Sequence, residues 1–325
     1  MPKRHTPAPQ ELLWDEDSVR DPWRDRAEPL SRIHFGTSTW AYPGWVGIVY
    51  SKKHRNSTDY LREYVRDPRF STVGADFTFY SPPEARTLVS WLEFLPPRFA
   101  MVFKVWDELT VERFEKTDQS RNPRREAGRE NPNFLSVELF REQFLNPFLE
   151  AGFEKRVAAF LFEFRASNAR NPGRFLTRLE GFLHTLPKGF PYAVEIREPK
   201  LLADPYFSIL RSAGVSHVFN HWDRMPSLAE QMRRGGFAGD RVISRILTPL
   251  GMRYEAAKKK FSPYNRLLPE NVLPEMRGDV VAMCHEAIRL RLPGYILVNN
   301  RSEGCAPITI QAIEEALTLA PLPRA

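Results

Sequence analysis

Glu195 and Arg197 stand two residues apart at the end of an apolar run, Tyr192-Ala-Val-Glu-Ile-Arg197. In a strand that spacing puts both side chains on one face. A carboxylate there can take or deliver a proton, and the guanidinium beside it can hold an anionic substrate. The competing reading is an internal ion-pair network shared with Lys104, Glu163 and Arg245, since charges leaving water must be paired. Other runs end the same way. Asp76, Thr78 and Tyr80 follow one, Lys104 closes another, Glu163 and Arg165 a third, and Asn220, His221 and Asp223 a fourth. Arg245 and the group Asn299, Asn300, Arg301 and Glu303 complete the set. Strands that are apolar along their length and polar at their C-terminal ends suit a parallel barrel, whose active sites collect at that face.

Several side chains offer a specific chemistry. Lys104 suits a Schiff base only if Arg197 and Arg245 depress its pKa against the opposing pull of Glu163 and Glu195. Trp40, Tyr42 and Trp45 cluster after the first apolar run and offer an aromatic wall for a ring, or else a cover for the barrel. Asn299 and Asn300 present donors and acceptors to a polar ligand, or tie down their own loop. Asp76, Glu163, Glu195, His221 and Asp223 form the one set able to meet around a divalent metal, but three basic residues compete for that space. No cofactor is therefore expected, a divalent metal at those residues being the alternative. Cys305 has no evident activating histidine, and Gly36-Thr-Ser-Thr-Trp40 is not a Gly-x-Ser-x-Gly elbow.

The elements that must position these groups follow from periodicity. Strands are predicted over 33–38, 72–79, 100–105, 158–164, 192–197, 217–220, 241–246 and 295–300. Helices are predicted over 58–65, 84–94, 134–149 with an interruption at Pro147, 173–186, 206–213 and 227–234 with Ser227 as cap, then over 255–260, 274–290 and 309–319. Eight such units over roughly 290 residues fit an α/β fold of the TIM-type (β/α)8 barrel, which typically takes about 250. A doubly wound sheet is the rival, but the Gly-rich turn after its first strand is missing. Residues 1–30 read as a polar N-terminal extension and 31–325 as a single barrel domain. The charge-rich stretch 107–133 reads as a long loop too polar to pack.

Composition narrows the class. Hydrophobic residues make up 42% and charged residues 27% of the 325, as in soluble globular proteins. No run of about 18 apolar residues offers a membrane span, and the first ten residues lack the apolar core of a signal peptide. Cys284 and Cys305 are the only cysteines, which excludes a zinc ribbon and a cysteine-ligated iron–sulfur cluster. A cytoplasmic location is expected. The net charge of +7 favours acidic partners, small phosphorylated or carboxylate ligands among them. Lys258-Lys259-Lys260 with Arg253 and Arg266, and the arginines of 113–129, offer surfaces to nucleic-acid phosphates.

With those residues in view, a resemblance emerges. Gly36-Thr-Ser-Thr-Trp40 with Tyr42, Pro43 and Trp45 resembles the opening of the domain-of-unknown-function 72 family, also called YecE-like. Phe70–Tyr80, Lys104, Ala193-Val-Glu-Ile-Arg197 and Asn299-Asn-Arg-Ser-Glu-Gly-Cys-Ala-Pro307 match in order, over roughly 33–318. The resemblance implies an irregular TIM-type barrel and no particular reaction. It also has departures: Gly74 stands where the family often carries Glu, Leu161-Phe-Glu-Phe-Arg165 replaces a Leu-Phe-Gln-Leu-Pro run, and Arg245-Ile-Leu-Thr-Pro249 replaces an Arg-x-His-Gly pattern. A mechanism built on that Glu or His would not operate unchanged here.

The expectation is an enzyme — hydrolase, isomerase or lyase — acting on a small polar anionic substrate. Glu195 would transfer the proton, Arg197 and Arg245 would clamp the anion, and Lys104 would stabilise charge. Trp40, Tyr42, Asp76, Tyr80, Glu163, Asn220, Asn299 and Asn300 would bind and orient the substrate. The alternatives are a nucleic-acid-binding protein or nuclease using the basic surface, and a non-catalytic ligand sensor.

Overall fold

The structure is a computed structural model that describes residues 28–320. The expected extension therefore lies almost wholly outside the described residues. Eight strands are formed: β1 (Ile33–Thr37), β2 (Thr72–Ala75), β3 (Ala100–Lys104), β4 (Val157–Phe164), β5 (Tyr192–Ile196), β6 (Ser216–His221), β7 (Val242–Ile246) and β8 (Gly294–Val298). They pair in the order β1-β8-β7-β6-β5-β4-β3-β2, every pairing parallel. Helices fill the crossovers, so the predicted (β/α)8 barrel is present.

One seam makes the barrel irregular. β1 and β2 lie side by side without a ladder and are stitched by single bonds. The Ser71 amide donates to the Phe35 carbonyl at 2.9 Å. The Tyr64 hydroxyl accepts from the Thr37 amide at 3.0 Å and donates to the Thr72 carbonyl at 3.3 Å. Two glycines let the backbones approach: a Cβ at Gly36 would sit 2.0 Å from the Thr72 oxygen, and one at Gly74 would sit 2.8 Å from the Ser38 oxygen. The glycine at 74 is thus a packing requirement of the seam, and a glutamate there would force it open.

Strand alternation sorts the side chains. Val102, Leu161, Ala193, Val218, Ile243 and Leu297 form a small apolar cluster of their own. The intervening positions, among them Phe103, Phe160, Phe162, Val194, Phe219 and Ile296, belong to the large core shared with the helices. Two residues beyond each member of the small cluster, on the same face, stand Lys104, Glu163, Glu195, Asn220, Arg245 and Asn299. The inside of the barrel is therefore apolar below and charged above.

Three expectations need correction. β2 stops at Ala75, and Asp76–Phe79 turns into a 3-10 helix. There the Thr78 hydroxyl donates to the carbonyls of Ala75 (2.7 Å) and Lys104 (2.6 Å), which swings Asp76 toward the interior charges. The stretch 107–133 is no bare loop. It carries helical turns Asp107–Thr110 and Lys116–Arg121 and packs by burying Leu109, Val111 and Phe114 and by charge pairing. Arg125 grips Asp107 through two bonds of 2.8 Å, and Arg165, just past β4, grips fully buried Asp118 at 2.7 and 2.8 Å. Finally, Pro147 does not interrupt a helix. It sits in the first turn of Asn146–Glu150, where its missing N–H costs little, after a π turn over Phe140–Leu145.

Candidate active site at the barrel mouth

The β4–β5 register sets Glu163 directly beside Glu195. Two buried carboxylates cannot share such a position unless cations separate them. Three do so. Arg245, from β7, donates through Nη1 to Glu195 Oε2 (2.6 Å) and Glu163 Oε2 (3.0 Å), and through Nη2 to Asp76 Oδ2 (2.6 Å). Arg197 donates through Nε to Glu195 Oε1 (3.0 Å) and through Nη2 to Glu163 Oε2 (2.6 Å). Lys104 Nζ lies 2.8 Å from Glu163 Oε2. Asn220 Nδ2 adds a bond to Glu195 Oε1 at 3.2 Å and another to the Ile196 carbonyl at 3.0 Å. Lys104, Arg197 and Arg245 thus balance Asp76, Glu163 and Glu195 in one neutral cluster. The ion-pair network read as an alternative in the sequence is what the strands assemble.

The electrostatics follow. Burial by itself would raise Glu163, but Arg197, Lys104 and Arg245 outweigh it and hold the carboxyl well below its usual range. Burial also opposes ionisation of Glu195, and Arg245 and Arg197 again win. Lys104 moves the other way: burial pulls its ammonium below the ordinary lysine value, against the attraction of Glu163 and Asp76.

Depth separates the roles. The Glu195 side chain is 0% exposed and Arg245 2%; both Glu195 oxygens and both terminal nitrogens of Arg245 are bonded, while Arg245 Nε is left without a partner. Asp76 is 32% exposed, Arg197 17% and Lys104 12%, so these three border solvent. Aromatic rings carry the two bordering cations, with Lys104 Nζ 3.7 Å from the Phe79 ring centre and Arg197 4.2 Å from that of Trp222. Sequence reading passed over Phe79 and Trp222. Their place one or two residues from a polar strand end was the available signal.

The remaining candidates scatter. Tyr80 stands at the rim, exposed, with the Arg121 guanidinium 5.3 Å from its ring centre. Tyr42 packs edge-on to Tyr264 at 5.9 Å. Burial pushes its phenol upward, Arg301 opposes this, and Asp76 adds to it, so Tyr42 lies within the field of the mouth. Arg301, which follows the Asn-Asn pair, lies over Tyr254 at 4.3 Å. Trp40 is outside this group. It is buried against Phe77 and Trp91, with its indole N–H donated to the Ser57 carbonyl at 2.8 Å. Asn300 Oδ1 accepts from Trp45 Nε1 (3.2 Å) and the Ala306 amide (2.8 Å), and Asn299 Oδ1 accepts from the Arg301 amide (3.0 Å). The Asn-Asn motif therefore fastens the loop after β8 to the loop after β1. His221 turns Nδ1 to the Thr248 carbonyl at 2.8 Å, away from Asp76, Glu163 and Glu195. Among the described residues no group of three or more His, Cys, Asp and Glu is disposed to hold a metal ion, and no helix is long and apolar enough to cross a membrane.

Comparison with known proteins agrees with the architecture. The family model "Protein of unknown function DUF72" matches residues 34–325. A solved DUF72 family protein of Enterococcus faecalis V583 superposes with a TM-score of 0.59 at 15% identity, covering 90% of this chain and 98% of that one. A DUF72 family protein of Thermotoga maritima MSB8 superposes with a TM-score of 0.57 at 20% identity, covering 88% and 99%. At such identities the likeness is one of fold. No curated protein matches the sequence.

Proposed function

The chain belongs to the family of proteins of unknown function DUF72, and on that premise we propose that its barrel mouth is the active site of an enzyme acting on a small polar anionic substrate. The observation that carries this reading is a neutral six-charge cluster at the C-terminal strand ends, closed on the solvent side by Asp76. Interior apolar side chains of similar size would hold a barrel at least as firmly as buried charges. Charges gathered instead at the face where barrel sites lie fit a catalytic use. Asp76 is the carboxylate a ligand would exchange with. An incoming carboxylate or phosphate would take over its bond to Arg245 and lie against Arg197 and Lys104, leaving the cluster neutral.

Within that reading, proton transfer moves from Glu195 to Lys104. Both oxygens of Glu195 are occupied, and its carboxyl is held far below neutrality. Lys104 borders solvent, and burial lowers its ammonium below the ordinary lysine value, which makes its proton easier to give up. Hydrolysis, isomerisation and elimination all require such a transfer. In the stretch 113–129, Arg113, Arg121 and Arg125 are engaged by Glu130, Asp118 and Asp107, which reduces the charge it can offer to nucleic acid.

A thermal-shift screen with carboxylates and sugar phosphates tests the reading. A ligand at about a hundred times its Kd stabilises by roughly 2.7 kcal/mol, a rise of several degrees. Such a rise, lost in Arg197→Ala and retained in Lys104→Met while turnover of the hit disappears, is the expected result. Absence of any hit, or a hit indifferent to Arg197→Ala, refutes it.

A further inference from the structure

A second, unassigned cleft of about 670 Å³ lies between the loop after β1 and the helix Ser57–Tyr64. Lys52, Lys53, Arg55, Arg62 and Arg66 line it, and none has a carboxylate partner among the described residues. The two acidic lining residues are spent locally. Glu63 accepts from the Ser51 amide at 2.6 Å and pairs with His54, while Asp59 accepts from Asn56 Nδ2 at 2.9 Å. Arg62 lies over the Phe94 ring at 4.3 Å, which fixes its stem and leaves the guanidinium N–H groups without a protein acceptor. Five cations face two carboxylates, so the positive charge here is in excess and gathered around a concavity. Arg113, Arg121 and Arg125 differ, since each is paired with a carboxylate of its own neighbourhood, Glu130, Asp118 and Asp107.

We propose that this cleft binds a compact polyphosphate, two or three linked phosphate groups, through charge-assisted bonds from these lysines and arginines. Five unpaired cations exceed what a single carboxylate or monophosphate can engage, and linked phosphates supply acceptors at matching density. The volume falls in the usual range for small-ligand sites. No Phe, Tyr or Trp lines the cleft, and its one aromatic ring, His54, is held by Glu63, so recognition rests chiefly on the phosphates. Every lining residue comes from positions 51–66, a footprint suited to a compact ligand and too local for a nucleic-acid backbone. Free polyphosphate and a nucleotide present the same anion, and a cleft that reads phosphate alone binds both.

Isothermal titration of the full chain at low salt, with tripolyphosphate and with ATP, tests the proposal. Both are expected to bind one-to-one with affinities within a few-fold of each other, weakening as salt is added. Lys52→Glu/Lys53→Glu and Arg66→Glu are each expected to weaken binding by roughly tenfold or more, while Arg197→Ala at the barrel mouth leaves it unchanged. These lining side chains are exposed, so the variants should melt with the parent protein, which a thermal scan verifies. No heat with tripolyphosphate overturns the proposal. So does unchanged affinity in both charge-reversal variants, binding of ATP alone, or binding confined to nucleic acid.

Discussion

Replacing Arg245 with methionine removes the hub of the mouth and keeps much of its volume. The guanidinium serves three carboxylates, at 2.6 Å (Glu195), 3.0 Å (Glu163) and 2.6 Å (Asp76). Asp76 is partly exposed and water can take over its lost bond, so it adds little to the cost. Glu163 keeps Lys104 and Arg197. Glu195 has no access to water and loses the donor on Oε2, retaining only Arg197 and Asn220 on Oε1. Breaking a buried pair from one side costs roughly 3–5 kcal/mol. At about 2 °C per kcal/mol for a chain of this size, the melting temperature should fall by roughly 6–10 °C. Urea unfolding at neutral pH measures the same loss as a shift in midpoint at constant slope. Adding Glu195→Leu to Arg245→Met removes the stranded carboxylate, so the double variant should recover about 1–3 kcal/mol relative to the sum of the singles. A loss below about 1 kcal/mol in Arg245→Met, or strict additivity in the cycle, would mean that solvent already compensates these charges and that the cluster is not the closed network described here.

Two further perturbations probe the seam and the packed polar segment. Gly36→Ala should leave little folded protein, because its methyl would meet the Thr72 backbone oxygen at 2.0 Å, and backbone cannot rotate away as a side chain does; soluble yield and melting temperature near those of the parent would show that the seam can open. In acid, carboxyls whose folded pKa is depressed lend stability that is complete above their ordinary range and is lost as pH falls through the folded value. Burial opposes ionisation of Asp118, yet Arg165 and its other donors outweigh this and lower it from 3.8 to about 2. Glu163 and Glu195 shift the same way, so urea midpoints should hold to about pH 5 and then fall. Arg165→Ala should remove part of that dependence and speed limited proteolysis within 107–133; an unchanged pH profile would refute the role given to Asp118.

The architecture and the ring of polar strand ends are legible in the residues alone. Both follow from a period of two. An apolar position such as Val102, Ala193 or Ile243 followed two residues later by Lys104, Glu195 or Arg245 needs only local geometry to be read. Strand type and helix caps are equally local, and Ser227 accepts from the Glu230 amide as its helix signature predicts. How those ends meet depends on closure of the barrel. Register set Glu163 against Glu195, and that juxtaposition drew Arg197, Arg245 and Lys104 inward as counter-charges. The same chemistry that made Glu195 look like a proton carrier thus became the reason it is fully occupied. Trp40 and Asn300 present ligand-like groups in sequence, but their partners, Ser57 and Trp45, are supplied by other loops. Conversely, Asp118 and Arg125 sit in a stretch whose polarity reads as solvated, and they pack because Arg165 and Asp107 neutralise them from outside it or from its far end. Burial of a charge depends on its partner's position in space. That position is set by closure of the barrel, which no local pattern records.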